Sequence, residues 1–341
     1  MDFPMLTHNP KKIVAIAALW ILTVLSSSCS SLQKIGLSAT SDLLYKGGNS
    51  IKLEENWNNF KVGTLANLQM IEGLHFLHPT NENFLLTLLK GYSAYAFGVN
   101  ETLYIDDYFA ENNRQEHKDQ AIYNYSKAMA YGEKLWEEKE LDFSEVLRRS
   151  SSDNDGPNSL ANYLDKKLSS DVPDIEAIFF MAQALGGLIN LQKEKIHMVA
   201  LATTMKGMMD WACNKRPELN YGACQLFSAA MLVSRPKMLG GDPEQGKKIF
   251  LEAIAKWPDN LLLRVSFLQF YAIPMSDEDA YKGQQKEIEA GLKQHLGKMV
   301  WAYQSKKNLG SENKIPDDLK LFNAIAIKRY ELITKFEKDF F

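Results

Sequence analysis

The stretch Arg235-Pro-Lys-Met-Leu-Gly-Gly-Asp-Pro-Glu-Gln-Gly-Lys-Lys-Ile-Phe-Leu-Glu-Ala-Ile-Ala-Lys-Trp-Pro-Asp-Asn260 reads as a stop, a turn, a start and a second stop. Pro236 cannot continue a helix, because its ring clashes with the preceding turn and it carries no N–H. Gly240 and Gly241 give the backbone the freedom a reversal needs. Asp242 suits an N-cap, and Pro243 then falls at the first helical position, where its missing donor is of no consequence. Gly246, Phe250 and Ala253 follow at spacings of four and three, so they share one helical face. Pro258 stops that helix before Asp259 and Asn260 turn the chain.

Small, large, small and then proline is the pattern of the second helix of a tetratricopeptide repeat. The small residues allow a partner helix to approach closely, and Phe250 fills the space between them. Leu226, Ala229, Ala230 and Val233 supply the matching three-one-three spacing of a first helix. The connecting turn is longer than such a repeat normally has, and Arg235–Leu239 carries the excess. The same four-and-three spacing recurs at Ala121, Tyr125 and Ala128, and the three-one-three spacing at Leu85, Leu88, Leu89 and Tyr92.

Nearly everything beyond residue 50 has helical periodicity, with no sustained alternation of β-branched residues. The expected helices are Glu54–Leu77, Asn83–Phe97, one after the polar insert Asn100–Lys118, Asp174–Leu191, Glu194–Trp211, Tyr221–Ser234, Asp242–Trp257, Leu261–Ala272, Asp277–Gly297 and Asp317–Asp339. Residues 148–159 and Gln304–Pro316 read as loops. The expectation is an all-α chain of four helix hairpins flanked by single helices, arranged as a TPR-like solenoid or a closed helical bundle.

The N-terminus reads differently. Lys11 and Lys12 precede an apolar run, Ile13–Leu25, too short for a mature membrane span. Ser26, Ser27 and Ser28 supply the small residues a peptidase needs, and Cys29 follows. Residues 1–28 are therefore expected to be a lipoprotein signal, with Cys29 acylated as the new N-terminus; an ordinary secretory signal cut near Ser28 is the plainer alternative. Ser30, in place of an aspartate, points to the outer membrane by resemblance to sorted lipoproteins. Residues 29–50 then form a membrane-proximal tether and 51–341 a helical domain. No later stretch reads as a membrane span, so a lipid anchor alone would hold the chain to the bilayer.

The chain has 39 basic and 42 acidic residues and a formal charge of −3. That provides no basic field for nucleic acid. Besides Cys29 there are Cys213 and Cys224, on either side of the turn Asn214–Tyr221. They could pair in an oxidising compartment, but sequence does not supply the Cα separation a bridge needs, and buried free thiols are the expectation.

No nucleophile elbow, phosphate loop, dinucleotide fingerprint or zinc-protease helix is present, so no catalytic residue, cofactor or metal is assigned. His75 and His78 lie one turn apart, but two ligands do not make a zinc site, and structural capping is the simpler role. Glu54-Glu55, Asp106-Asp107 and Glu137-Glu138 are neighbours in sequence and read as solvated faces. A hydrolase or lyase would need a constellation this chain lacks. The aromatic and methionine residues are more suggestive. Ile175–Leu191 is apolar nearly all round, which suits a core helix or the lining of an apolar cavity. Tyr92, Phe179, Phe180 and Met181 are the candidate ligand-binding residues. Pro236, Gly240, Gly241, Asp242 and Pro243 are assigned to the structural turn.

Four blocks carry a family resemblance: Leu68-Gln-Met-Ile-Glu-Gly-Leu74 running on through Pro79-Thr-Asn81 to Leu89-Lys-Gly-Tyr92; the turn from Arg235-Pro236 to Asp242-Pro243 with Phe250 and Ala253; Ile175–Leu191, where Phe179-Phe180 stand in place of the usual tryptophan; and Leu321-Phe-Asn-Ala-Ile-Ala with the terminal Asp339-Phe340-Phe341. In these the sequence resembles the TatT family, the lipoprotein T component associated with tripartite ATP-independent periplasmic (TRAP) transporters. The resemblance implies a repeat-like periplasmic lipoprotein without enzymatic activity. It implies work with a periplasmic substrate-binding protein on an apolar or organic-anion ligand, and a homo-oligomer, expected to be a trimer. The alternative is a general TPR scaffold lipoprotein for envelope assembly, holding a partner peptide and no small ligand.

Overall fold

The computed structural model describes residues 33–111, 114–151, 158–296 and 316–341. The proposed signal at 1–28, Cys29 and most of the polar linker at 304–316 lie outside them. The described chain is all-α, without strands. Helix α1 covers 33–48 and runs into a 3₁₀ turn, Asn49–Leu53. Then come α2 (Trp57–Leu77), α3 (Glu82–Tyr95), α4 (Glu101–Phe109) and α5 (Glu116–Glu138). Next are α6 (Phe143–Ser151), α7 (Ser159–Lys167), α8 (Val172–Leu191), α9 (Ile196–Ala200) and α10 (Ala202–Lys215). The remainder is α11 (Ala223–Ser234), α12 (Pro243–Lys256), α13 (Leu261–Phe267), α14 (Glu278–Leu296) and α15 (Lys320–Thr334).

Local chemistry fixes the helix starts. The side chains of Asn56, Asn81, Asp242 and Asn260 each accept from a backbone N–H of the first turn they precede, satisfying donors that have no partner inside the helix. Between α11 and α12 the excess residues form a 3₁₀ turn, Lys237–Leu239, and Gly240 adopts the left-handed conformation at φ 83°. The Gly241 N–H reaches the Pro236 carbonyl at 3.1 Å, and the Asp242 N–H reaches Leu232 at 2.9 Å. A side chain on Gly241 would strike the Arg235 carbonyl, a piece of backbone that cannot swing aside.

Packing follows the hairpins: α3 lies on α5, α8 on α10 and α11 on α12. Gly246 meets the Ala229 carbonyl and Val233 of α11, and the fully buried Phe250 fills the space beside it. Burying such a ring contributes about 1.5–3 kcal/mol. Phe250 also meets Phe267 edge to face, with centroids 5.7 Å apart. Helix α15 packs on α13 and also on α2 and α4, so the end of the chain returns to its beginning.

Two π-helical turns, Ala96–Asn100 and Leu268–Ala272, extend α3 and α13. Such a turn frees carbonyls from the regular ladder. The Gly98 carbonyl accepts from Trp57 Nε1 at 2.8 Å, and the Phe97 carbonyl from Arg329 Nη2 at 2.6 Å. Arg329, fully buried in α15, also donates through Nε to Thr102 Oγ1 at 3.0 Å and lies 4.0 Å from the Glu101 carboxylate. Tyr125 donates to Glu101 at 2.5 Å, and Asn124 to Asn100 at 2.8 Å. These buried polar groups stay inside because they satisfy one another.

Several expectations change. Cys213 and Cys224 are bonded, with Cα atoms 5.8 Å apart, so the thiols are not free. The positive φ of Asn220, Tyr221 and Gly222 turns the loop tightly enough to bring them together. The polar insert holds a helix, α4, whose buried Asp107 sits 2.7 Å from His117 Nδ1 instead of on a solvated face. Residues 143–151, partly read as loop, form α6, and 152–157 lie outside the described residues. The segment read as a tether is helical from 33 and packs Leu44 and Tyr45 against the core. Finally, α8 is long and apolar enough to cross a bilayer, contrary to the sequence reading, but most of it is buried within the fold. Its apolar faces meet α3, α5 and α10.

Candidate functional site

Helices α2, α3, α8, α11, α13 and α15 surround a cavity of ≈ 900 Å³, and α1 with its 3₁₀ turn lies along it. The walls are mainly apolar. Leu68 and Ile71 come from α2, Phe179 and Phe180 from α8, Leu226 and Phe227 from α11, and Leu321, Phe322 and Ile325 from α15. Small residues open the space. At Gly91 even one added carbon would collide with Leu68, so α2 and α3 approach closely there.

The four sequence candidates separate. Phe179 and Phe180 both line the cavity and meet edge to face at 5.2 Å, with Phe179 buried and Phe180 half-buried. Met181 is one residue further round the helix, about 100° away, and is wholly buried on α5 against Gly132. Tyr92 follows the cavity residues Lys90 and Gly91 and points to the other side of α3. Its ring stacks on Tyr131 at 5.9 Å, and Lys127 donates to its hydroxyl at 2.8 Å. Lys127 also pairs with Glu72, which accepts from Tyr131 at 2.6 Å. Neither Met181 nor Tyr92 is among the lining residues.

The polar part of the cavity centres on Lys90. Its Nζ is 2.6 Å from Glu176 Oε2, and the Tyr45 hydroxyl donates to that same oxygen at 2.9 Å. The ammonium also lies over the rings of Tyr45 and Phe180, at 5.1 and 5.7 Å. Burial holds the Lys90 pKa below the ordinary lysine value, with Glu176 opposing that effect and Lys52, another lining residue, adding to it. Burial and the adjacent Glu176 push the Tyr45 hydroxyl well above its ordinary value. Thr64, 5% exposed, also lines the cavity, and its Oγ1 has no hydrogen-bond partner.

Sequence reading passed over Lys90 and Tyr45. Tyr45 belonged to a segment assigned to the tether. Lys90 did carry a signal, because it is the single charge in α3 after Glu82 at its start. The histidine pair does not converge. His75 is buried with its ring edge-on to Tyr131 at 5.5 Å, whereas His78 caps α2 and faces Ser38. Among the described residues, no three His, Cys, Asp or Glu side chains gather in metal-binding geometry.

A family model described as "TRAP transporter T-component" matches residues 61–294, well over half of the chain. No curated protein matches.

Proposed function

Because the chain belongs to the TRAP transporter T-component family, a family of transporter components rather than of enzymes, we propose that its cavity is a ligand chamber serving TRAP-type transport. Family membership associates the chain with a TRAP system and with the cell envelope. In the proposed arrangement, acylation of Cys29 anchors the protein to the periplasmic face of the outer membrane. The TPR-like helices hold a chamber for an apolar or organic-anion molecule. A periplasmic substrate-binding protein of the same system exchanges that molecule with the chamber, and the working form is a homo-oligomer, taken to be a trimer. The observation that carries the reading is the ≈ 900 Å³ chamber lined by Phe179 and Phe180. Ligand sites of about 300–1,000 Å³ are predominantly apolar with a few placed polar groups, and this one has that character.

The test is to extract purified protein with organic solvent and identify any apolar molecule it retains. Phe180→Ala should reduce the retained amount, whereas an unchanged stoichiometry would reject the chamber. Crosslinking in cells should join the protein to the TRAP substrate-binding protein. Cys29→Ala should release it from membranes, and an unmodified N-terminus by intact mass would end the lipoprotein assignment.

A further inference from the structure

We propose that the outer face of α2 is a bilayer-contact surface, with Phe76 and Leu77 seated in the lipid leaflet that holds the acylated Cys29. The proposal rests on the reading of Cys29 as the anchor and adds a second, non-covalent contact to it.

Helix α2 buries one side through Phe60, Leu68 and Ile71. A surface helix normally turns charged and polar residues to water on its other side. This one does not. Val62, Ala66, Gln69, Gly73, Phe76 and Leu77 recur at helical spacing and form one uncharged stripe opposite the buried side. All are exposed, Val62 at 73% and Phe76 at 82%. A side chain added at Gly73 would meet no atom, so nothing stands over the stripe there. Lys61 and Glu72, the Lys and Glu of α2, lie off it. Lys61 sits 5.5 Å from the Trp57 ring, and Glu72 pairs with Lys127. Apolar surface left open in this way marks a contact with lipid or with protein.

The path of the chain favours lipid. Ser30, Ser31 and Leu32 alone separate Cys29 from the start of α1, a reach of at most about 14 Å. Ser38 is about 8 Å further along that helix. Its Oγ lies 3.5 Å from Nε2 of His78, the residue that caps α2. An acyl group on Cys29 therefore holds the Phe76 end of α2 close to the bilayer. Ile35, one turn before Ser38 and 66% exposed, adds apolar surface at the same end. The segment Phe76-Leu-His-Pro-Thr-Asn81 contains no Asp, Glu, Lys or Arg, so it meets lipid without stripping water from a carboxylate or an ammonium. A short tether also makes the contact intramolecular, at an effective concentration of about millimolar, so two apolar side chains suffice where they would not hold a free protein.

The test uses the mature protein extracted from membranes and returned to vesicles of phosphatidylethanolamine and phosphatidylglycerol. With Cys29 acylated and Cys213 bonded to Cys224, Phe76→Cys supplies the single free thiol for an environment-sensitive dye. Lys248→Cys, at an exposed position on α12, is the reference. Both replace exposed side chains, and Leu77→Cys repeats the measurement at the next position. The label at 76 should shift to the blue and lose most of its emission when doxyl-labelled phospholipid is included, whereas the label at 248 should keep its emission. An apolar face in the interface lies about 5–10 Å deep, so a doxyl group near the headgroup should quench more than one at the tail end. An unmodified N-terminus by intact mass would remove the anchor and this proposal with it. A modified N-terminus with labels at 76 and 77 that respond like the one at 248 would overturn the lipid contact alone. A label at 76 that shifts to the blue but is untouched by doxyl lipid would assign the stripe to a second copy or another protein, and would equally overturn it.

Discussion

At the scale of single residues, the tightest constraints are contacts that allow no added atom. Gly246 faces the Ala229 carbonyl and Val233 across the α11–α12 hairpin, so Gly246→Leu must push the helices apart. It is expected to cost about 1–3 kcal/mol, read as a lower melting midpoint. His75 predicts a pH dependence. Burial depresses its pKa below the ordinary histidine value, helped by Lys134 and opposed by Glu72, and its Nδ1 has no partner. Below the unfolded pKa of about 6.5, the unfolded chain takes up a proton that the folded chain resists. Stability should therefore fall as pH drops from that value toward the folded pKa and stay level above it. His75→Phe should remove this slope in denaturation curves recorded at a series of pH values.

At the scale of elements, the disulfide can be tested directly. It closes a loop between residues 11 apart in sequence, just where the chain enters α11 and where Asn220 and Ala223 line the cavity. Closure of a loop this short is worth about 2–3 kcal/mol. Cys213→Ser with Cys224→Ser, or a mild reductant, should lower the unfolding free energy by that amount, read as a lower urea midpoint. The helices themselves were legible in sequence, because the apolar spacing, Asn81, Asp242, Pro243 and Pro258 are local signals. What remained hidden was hidden for a physical reason. Helix α4 went unassigned within the polar insert because Glu101, Thr102 and Asp107 are polar yet buried, each answered by a residue remote in sequence or beyond the helix. A hydropathy pattern scores such groups as exposed. The chamber was half visible: Phe179 and Phe180 were singled out by their crowding on one helix, whereas Tyr45 belongs to the wall only through the path of α1. Whether Met181 faced the same way as Phe180 could not be read from an apolar run that covers all sides of its helix.

At the scale of the molecule, the decisive contact is that of α15 with α2 and α4. Arg329 holds it through Thr102, the Phe97 carbonyl and Glu101. Burial lowers the Arg329 pKa and raises that of Glu101, each opposed by the charge of the other. Arg329→Met alone strands the carboxylate and is expected to cost about 3–5 kcal/mol. Adding Glu101→Gln should recover a substantial part of that loss, giving a clear coupling in a double-mutant cycle. A double-variant loss equal to the sum of the two single losses would mean that the two charges act independently. The same contact governs how the chain folds. Helical arrays whose contacts are all between neighbours can form and melt piece by piece. Here a bond spans 227 residues, and the helix that supplies it is synthesised after the helices it packs against. Long-range closure of this kind slows folding. A nascent chain that has emerged as far as α13 still lacks its final wall, leaving Leu262 and Phe60 without Leu321 and Ile325 to complete their enclosure. The chamber thus closes only once α15 has been made, and a chain truncated before α15 is left with an open apolar trough for chaperones and proteases to find.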